Sequence, residues 1–252
     1  MLKTRVIPTL LLKDVGLVKG AAFDSWRRVG SAMQSIRVYN LREVDEIVLL
    51  DIAATPNGTR PNFQEIDELA DHCFMPMTVG GGVKTIEDVR DLLAVGADKV
   101  AINTAAVETP DLVRDGANEF GSQCIVVSID VGRRSDGGLQ VVTNCGRQAT
   151  GRDPVAWAKE VESLGAGEIL LTSVDRDGTM QGYDLDLVHD VAAAVAIPVI
   201  ASGGCGAYQH MADVLGASRA SAVAAASIFH FTEQTPREAK AYLAERGFRV
   251  RL

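Results

Sequence analysis

A stretch that occurs twice constrains this chain's fold more than any other feature. Met75–Ala106 reads MPMTVGGGVKTIEDVRDLLAVGADKVAINTAA, and Ile197–Ser227 reads IPVIASGGCGAYQHMADVLGASRASAVAAAS. Pro76 answers to Pro198, Gly81 to Gly203 and Gly82 to Gly204, all at one offset. Each copy is a short apolar strand ending in glycines, a segment with apolar residues at helical spacing, and a second apolar strand ending in small or hydroxylated residues. That is a βαβ unit, and its parallel strands bring both loops to the same edge of the sheet. The repeat reaches further. Asp45–Leu50 matches Gly167–Thr172 at the same offset, and Val6–Leu11 answers to Ile125–Asp130, which sets Leu11 opposite Asp130.

Strand-like runs recur at Val6–Leu11, Ile47–Leu50, Met77–Val79, Val100–Ile102, Ile125–Ile129, Ile169–Leu171, Val199–Ala201 and Ala222–Ala225. Helical patterns fall between and after them, at Ala32–Leu41, Asn62–His72, Ile86–Ala94, Pro110–Glu119, Pro154–Leu164, Asp184–Ala194, Tyr208–Gly216 and Pro236–Arg246. Strict alternation of this kind predicts a (β/α)8 TIM barrel built from two similar half-barrels, with its active site at the C-terminal ends of the strands. An open doubly wound sheet is the alternative, and the half-chain repeat favours closure. The 252 residues suit a single domain over 1–252, with no Pro- or Ser-rich linker to divide it.

The repeated loops suit phosphate. Glycines let an anion approach backbone N–H groups, and a helix start behind them adds partial positive charge. Two such loops half a chain apart imply a ligand with a phosphate at each end; taken singly, each reads equally well as a phosphate loop or as a tight turn only. The long connection Lys13–Ser31 carries Lys19, Gly20 and Phe23 and reads either as a lid over a phosphorylated ligand or as an ordinary surface loop. Arg5, Glu46, Lys99 and Glu168 stand at the starts of the first, second, fourth and sixth strands, where alternating charges would ring the barrel floor as paired ions. Such a ring is either a structural plug or a gate for a small neutral molecule.

A net charge of −8 and a pI of about 5.1 argue against nucleic acid or an anionic membrane as the main partner. Leu10–Leu12 is too short an apolar run for a signal peptide or a membrane span, so a cytoplasmic protein is expected. Cys73, Cys124, Cys145 and Cys205 lack metal-ligand spacing, so neither metal nor disulfide is expected.

The segments IPTLLLKD, TVGGGVKT, AINTAA, FGSQCIVVSID, GAGEILLTSVDRDGT, IPVIASGG and AASIFHF, together with the C-terminal YLAERGFRVRL, resemble in order the HisF family, the cyclase subunits of imidazole glycerol phosphate synthase. The resemblance implies a (β/α)8 enzyme that needs no cofactor. Its partner would be a HisH-like glutaminase forming a heterodimer and delivering ammonia through the barrel from below. Its substrate would be a formimino-AICAR ribonucleotide with two phosphates. By the same resemblance Gly82, Asn103 and Thr104 fall on one phosphate site, and Asp177, Gly178, Gly204, Ala226 and Ser227 on the other. Asp130 falls on a catalytic aspartate, Lys19 on the lid lysine, and Thr172 and Ser202 on active-site hydroxyls. Arg5, Glu46, Lys99 and Glu168 fall on the ammonia gate, and Asp98 on the glutaminase interface.

One position departs. The family's other catalytic aspartate ends the first strand in the context C-L-D-V-K-D-G, and here Thr9–Val15 reads TLLLKDV, with Leu11 in its place. A leucine exchanges no proton, and losing one of two acid/base carboxylates typically costs about 10²–10⁴ in rate. Asp14 and Asp51 are nearby carboxylates at other positions in the strands. The LLLKD stretch and SIRVYNLREVDEIVLLDI are similar to WbuZ-type paralogues, which implies ammonia channelling for sugar amidation in surface-polysaccharide synthesis as an alternative. An isomerase of the HisA type also needs two strand-end carboxylates, so Leu11 counts against it.

Overall fold

The structure, a computed structural model, describes residues 3–14 and 16–252. Val15, the last residue of the departing first-strand stretch, lies outside them. Eight parallel strands form a closed barrel among the described residues: Arg5–Leu12, Ile47–Asp51, Met77–Gly80, Lys99–Ile102, Ile125–Arg133, Glu168–Ser173, Val199–Ser202 and Ala222–Ala225. Each pairs with the next, and the eighth closes on the first with Arg5 opposite Ala222 and Pro8 opposite Ala225.

Both faces of these strands are covered, which is why they read as near-continuous apolar runs. Inward residues Ile7, Val48, Ala101, Val126, Leu170, Ile200, Ala222 and Ala224 fill the barrel middle. Outward residues such as Val6, Leu10, Ile47 and Leu49 meet the surrounding helices in a larger shell. The eight expected helices lie within a residue or two of the pattern, from Ala32–Leu41 to Pro236–Glu245. Their starts follow local chemistry. Thr85 with Asp88, and Thr235 with Glu238, form reciprocal capping boxes, and Asp153 caps a helix that has Pro154 at its first position. No helix among the described residues is long and apolar enough to cross a membrane.

The doubling is visible in bonding as well as in sequence. Asn40 Oδ1 accepts from the Phe74 N–H, and Glu162 Oε1 accepts from the Ala196 N–H, so residues at one common offset tie the first helix of each half to the loop before that half's third strand. Each half also carries a β-hairpin after its first strand. The connection Lys13–Ser31 is therefore not an irregular loop: Leu17–Ala21 pairs antiparallel with Asp24–Gly30 and with the end of the first strand. Its counterpart, Leu139–Thr143 with Gln148–Ala149, extends the long fifth strand. That second hairpin is absent from the periodicity reading, although Leu139–Thr143 followed by Asn144-Cys145-Gly146 is a strand-and-turn signature.

Candidate active site

At the C-terminal ends of the strands a cavity of about 310 Å³ opens between the two hairpins. Its walls include Lys19, Gly82, Asn103, Thr104, Asp130, Thr172, Asp177, Gly178, Ser202, Gly204, Ala226 and Ser227. The structure thus brings together the residues expected to react and those expected to hold phosphate.

The two glycine loops are conformational equivalents. Gly81 and Gly82 have φ of 108° and 74°, Gly203 and Gly204 φ of 90° and 105°. These are left-handed values that favour glycine. A Cβ on Gly82 would lie 2.7 Å from the Thr59 carbonyl oxygen, and one on Gly204 2.1 Å from that of Gly182, so space as well as torsion excludes a side chain. The Gly82 N–H donates to Thr55 Oγ1 at 3.2 Å, a partner absent from the sequence reading. Short helices Thr104–Glu108 and Ser227–Phe231 begin beside these loops, capped by Asn103 (φ −113°, ψ −81°) and Ala226 (φ −124°, ψ −63°). The similar cap torsions bring two short helix starts, one from each half, to the wall of the same cavity.

Asp130, on the fifth strand, is 9% exposed. Asn103 Nδ2 donates to its Oδ2 at 3.2 Å, Ser128 Oγ to its Oδ1 at 3.4 Å, and the Thr172 hydroxyl also bonds it. Burial, with the Asp177 carboxylate adding repulsion, pushes the Asp130 carboxyl up to about 7, while the hydroxyls of Ser128 and Thr172 oppose the rise. A carboxyl so placed gives and takes protons near neutral pH. Burial pushes the Cys145 and Cys205 thiols up to about 11, so both are neutral and neither is an activated nucleophile.

Lys19 is buried, and its Nζ meets Asp177 Oδ2 at 2.6 Å. The same hairpin donates its Ala22 N–H to the Asp177 carbonyl at 2.8 Å and lays Gly20 against Gly178, where a Cβ would come within 2.1 Å of the Gly20 oxygen. Arg27 stacks on Phe231, its guanidinium carbon 3.8 Å from the ring centre, and Phe23 packs beside Gly146 of the opposite hairpin. The first hairpin thus covers the cavity and touches both halves.

Leu11 lines the cavity on the first strand, paired with Leu50 and Val18. The two nearby carboxylates are placed differently. Asp51 reaches the cavity, but its Oδ1 accepts from the Ala53 and Ala54 N–H groups at 2.8 and 3.0 Å as a helix-start cap. Asp14 lies in a separate groove with Arg28 and Glu65.

The opposite end of the barrel carries the four charges as a closed ring. Arg5 bonds Glu46 at 2.6 Å and also Glu168, and Lys99 Nζ meets Glu46 Oε1 and Glu168 Oε2, each at 2.8 Å. Thr78 donates a further bond to Glu46 at 2.9 Å. Burial alone would raise the Glu46 carboxyl, but Lys99 and Arg5 outweigh it and hold the group below the usual range. Asp98 is exposed at this end, with its Oδ2 accepting the Met77 N–H at 2.8 Å.

Residues 5–235 match the model of a family described as "Histidine biosynthesis protein". The chain belongs to this family. Its members are enzymes, the HisF and HisA types of (β/α)8 barrel among them. The closed barrel with a cavity at the strand C-termini accords with histidine-biosynthesis-type enzymes as a class.

Proposed function

We propose that this barrel is a HisF-like synthase subunit of a glutamine amidotransferase. It takes ammonia from a HisH-like glutaminase docked at the charged end, around Asp98, and acts on a two-phosphate substrate at the other end. One observation carries the reading: both glycine loops and Asp130 face one cavity at the top of a barrel whose floor is a closed ring of four charges. The ring Arg5–Glu46–Lys99–Glu168 acts as the gate, and the apolar middle layer offers no charge that would retain an uncharged ammonia molecule.

The family reaction takes the formimino-AICAR ribonucleotide and ammonia to imidazole glycerol phosphate and the AICAR ribonucleotide, with the ketone oxygen leaving as water. Gly82, Asn103 and Thr104 hold one phosphate; Asp177, Gly178, Gly204, Ala226 and Ser227 hold the other, fixing the substrate middle beside Asp130. Asp130, titrating near 7, moves the protons of ammonia attack and ring closure, with Thr172 and Ser202 orienting the reacting groups and Lys19 closing the hairpin. No resident cofactor is required for proton transfers and imine chemistry of this kind.

Leu11 in the cavity wall favours a second reading, an ammonia-channelling paralogue that serves sugar amidation by another protein. Turnover of the ribonucleotide by the purified chain with ammonium salt separates the two. Formation of imidazole glycerol phosphate supports the cyclase; binding without turnover supports the channelling subunit.

A further inference from the structure

Among the described residues, four buried side-chain polar atoms meet no partner in the protein: Thr9 Oγ1, Asn144 Oδ1, Trp157 Nε1 and Ser227 Oγ. Thr9, Asn144 and Ser227 line the cavity. Ser227 belongs to the proposed phosphate loop, and Asn144 sits half-buried on the turn of the second hairpin. Thr9 has no role in anything described above. It is 8% exposed, inward-facing on the first strand two residues before Leu11.

The half-barrel repeat accounts for the orphan. Thr9 and Leu11 correspond to Ser128 and Asp130, and across the barrel the Ser128 hydroxyl is met by the Asp130 carboxylate. On the first strand the corresponding side chain is leucine, so the Thr9 hydroxyl has nothing to bond. A buried hydroxyl left unmet is costly, and the cost is removed when a group entering the cavity meets it. The surroundings restrict what that group is. Leu11, Leu50, Ala101, Leu170 and Ala224 make this part of the cavity apolar, while Asp130 and Asp177 extend from the fifth strand and the loop after the sixth. A cation beside Thr9 would lack a first-strand counter-charge, whereas a neutral donor or acceptor meets the hydroxyl and otherwise faces apolar carbon.

We infer that Thr9 is a ligand-binding, specificity-determining residue. Its hydroxyl hydrogen-bonds a neutral group, such as a hydroxyl, a carbonyl oxygen or an imine nitrogen, in the middle of the two-phosphate ligand, on the side where Leu11 leaves no carboxylate. The inference rests on the two-phosphate reading of the cavity, not on the identity of the reaction.

The test is titration calorimetry on the wild type, Thr9→Val and Thr9→Ser with three probes: the formimino-AICAR ribonucleotide, ribulose 1,5-bisphosphate and inorganic phosphate. Valine keeps the shape and removes the hydroxyl; serine keeps the hydroxyl. Thr9→Val is expected to lose about tenfold in affinity for whichever two-phosphate probe the wild type binds, the size of one hydrogen bond, with inorganic phosphate unchanged and Thr9→Ser within about twofold of wild type. Two-phosphate binding by Thr9→Val within about twofold of wild type overturns the inference. So does an equal loss for inorganic phosphate, which would mark a general distortion. Wild-type binding of ribulose bisphosphate without the ribonucleotide sinks the cyclase reading alone, and Thr9 is then judged on ribulose bisphosphate. Binding of neither two-phosphate probe overturns both.

Discussion

The Asp130 carboxyl makes a stability prediction that is separate from catalysis. Its ordinary value is 3.8, and burial together with Asp177 raises it to about 7 in the folded chain. The folded protein therefore holds a proton that the unfolded chain releases between those pH values, so stability falls as pH rises from about 3.8 to about 7 and is constant with respect to this group above it. The two values differ by a little over three decades, which at about 1.4 kcal/mol per decade is an upper bound of roughly 4 kcal/mol. Asp130→Asn removes the ionisation while keeping the shape. Its carbonyl oxygen accepts the Asn103 bond now seen at 3.2 Å, and its amide faces Ser128, whose hydroxyl turns to accept. The variant should match the wild type near pH 4 and exceed it by a few kcal/mol at pH 8, a rise in Tm on the order of 10 °C for a chain of this length. Thermal melts of both proteins at pH 5, 6, 7 and 8, read by circular dichroism, measure this directly. A difference that is flat across pH, or a variant less stable at pH 8, would falsify the account of why Asp130 is protonated. Cyclase turnover, if present, should vanish in the same variant.

Leu11→Asp should raise ammonia-dependent turnover of the ribonucleotide toward the 10²–10⁴-fold that a second acid/base group typically supplies, or about that order; an unchanged rate would locate the divergence beyond this position. Glu46→Gln leaves the floor ring with two cations and one carboxylate and should destabilise the protein by roughly 2–4 kcal/mol, discounted because Arg5 and Lys99 remain 22% and 20% exposed; a melting temperature within a degree of wild type would show the ring contributes little. Gly178→Ala puts a Cβ at φ +74° and 2.1 Å from the Gly20 oxygen, so the first hairpin should lift. Faster tryptic cleavage at Arg27 and Arg28 and a red-shifted Trp26 emission would report it, and wild-type protection would refute the latch.

The barrel was legible because eight apolar runs and eight helical patterns alternate without interruption, and because a repeat at one offset implies a repeated structure. The floor ring was legible for a simpler reason: charges at or just before the first residue of buried strands have only each other to pair with, and Arg5, Glu46, Lys99 and Glu168 alternate in sign. The hairpins were not legible as such. Leu17–Ala21 (LVKGA) and Asp24–Gly30 (DSWRRVG) show no clean apolar/polar alternation, and their turn holds Ala22 and Phe23 at φ of 48° and 58°, a conformation for which sequence signals point to Asn or Gly. Tertiary contacts to Asp177, Gly178 and Phe231 hold that shape, and such contacts leave no local trace in sequence. Thr9 was hidden likewise, since an unmet hydroxyl is a property of its surroundings.

The two halves share a backbone plan but divide the chemistry unequally. On the second half, Asp130 is surrounded by Ser128, Thr172 and Asp177, with Asn103 reaching over from the first half, and its proton affinity is set by burial and by Asp177 instead of by any group on the first strand. On the first half, the corresponding positions offer a hydroxyl and a leucine. A single carboxyl poised near pH 7 can serve as base in one step and acid in the next, provided the ligand stays fixed between them. On the proposed function, that places the burden of positioning on the glycine loops and the first hairpin, and lightens it on the first strand, which carries Leu11 where its counterpart carries Asp130. Introducing an aspartate at Leu11 would therefore do more than add an acid. It would place a further carboxylate in a cavity that Asp51, Asp130 and Asp177 already line, raise the cost of ionising it together with Asp130, and split their titrations apart.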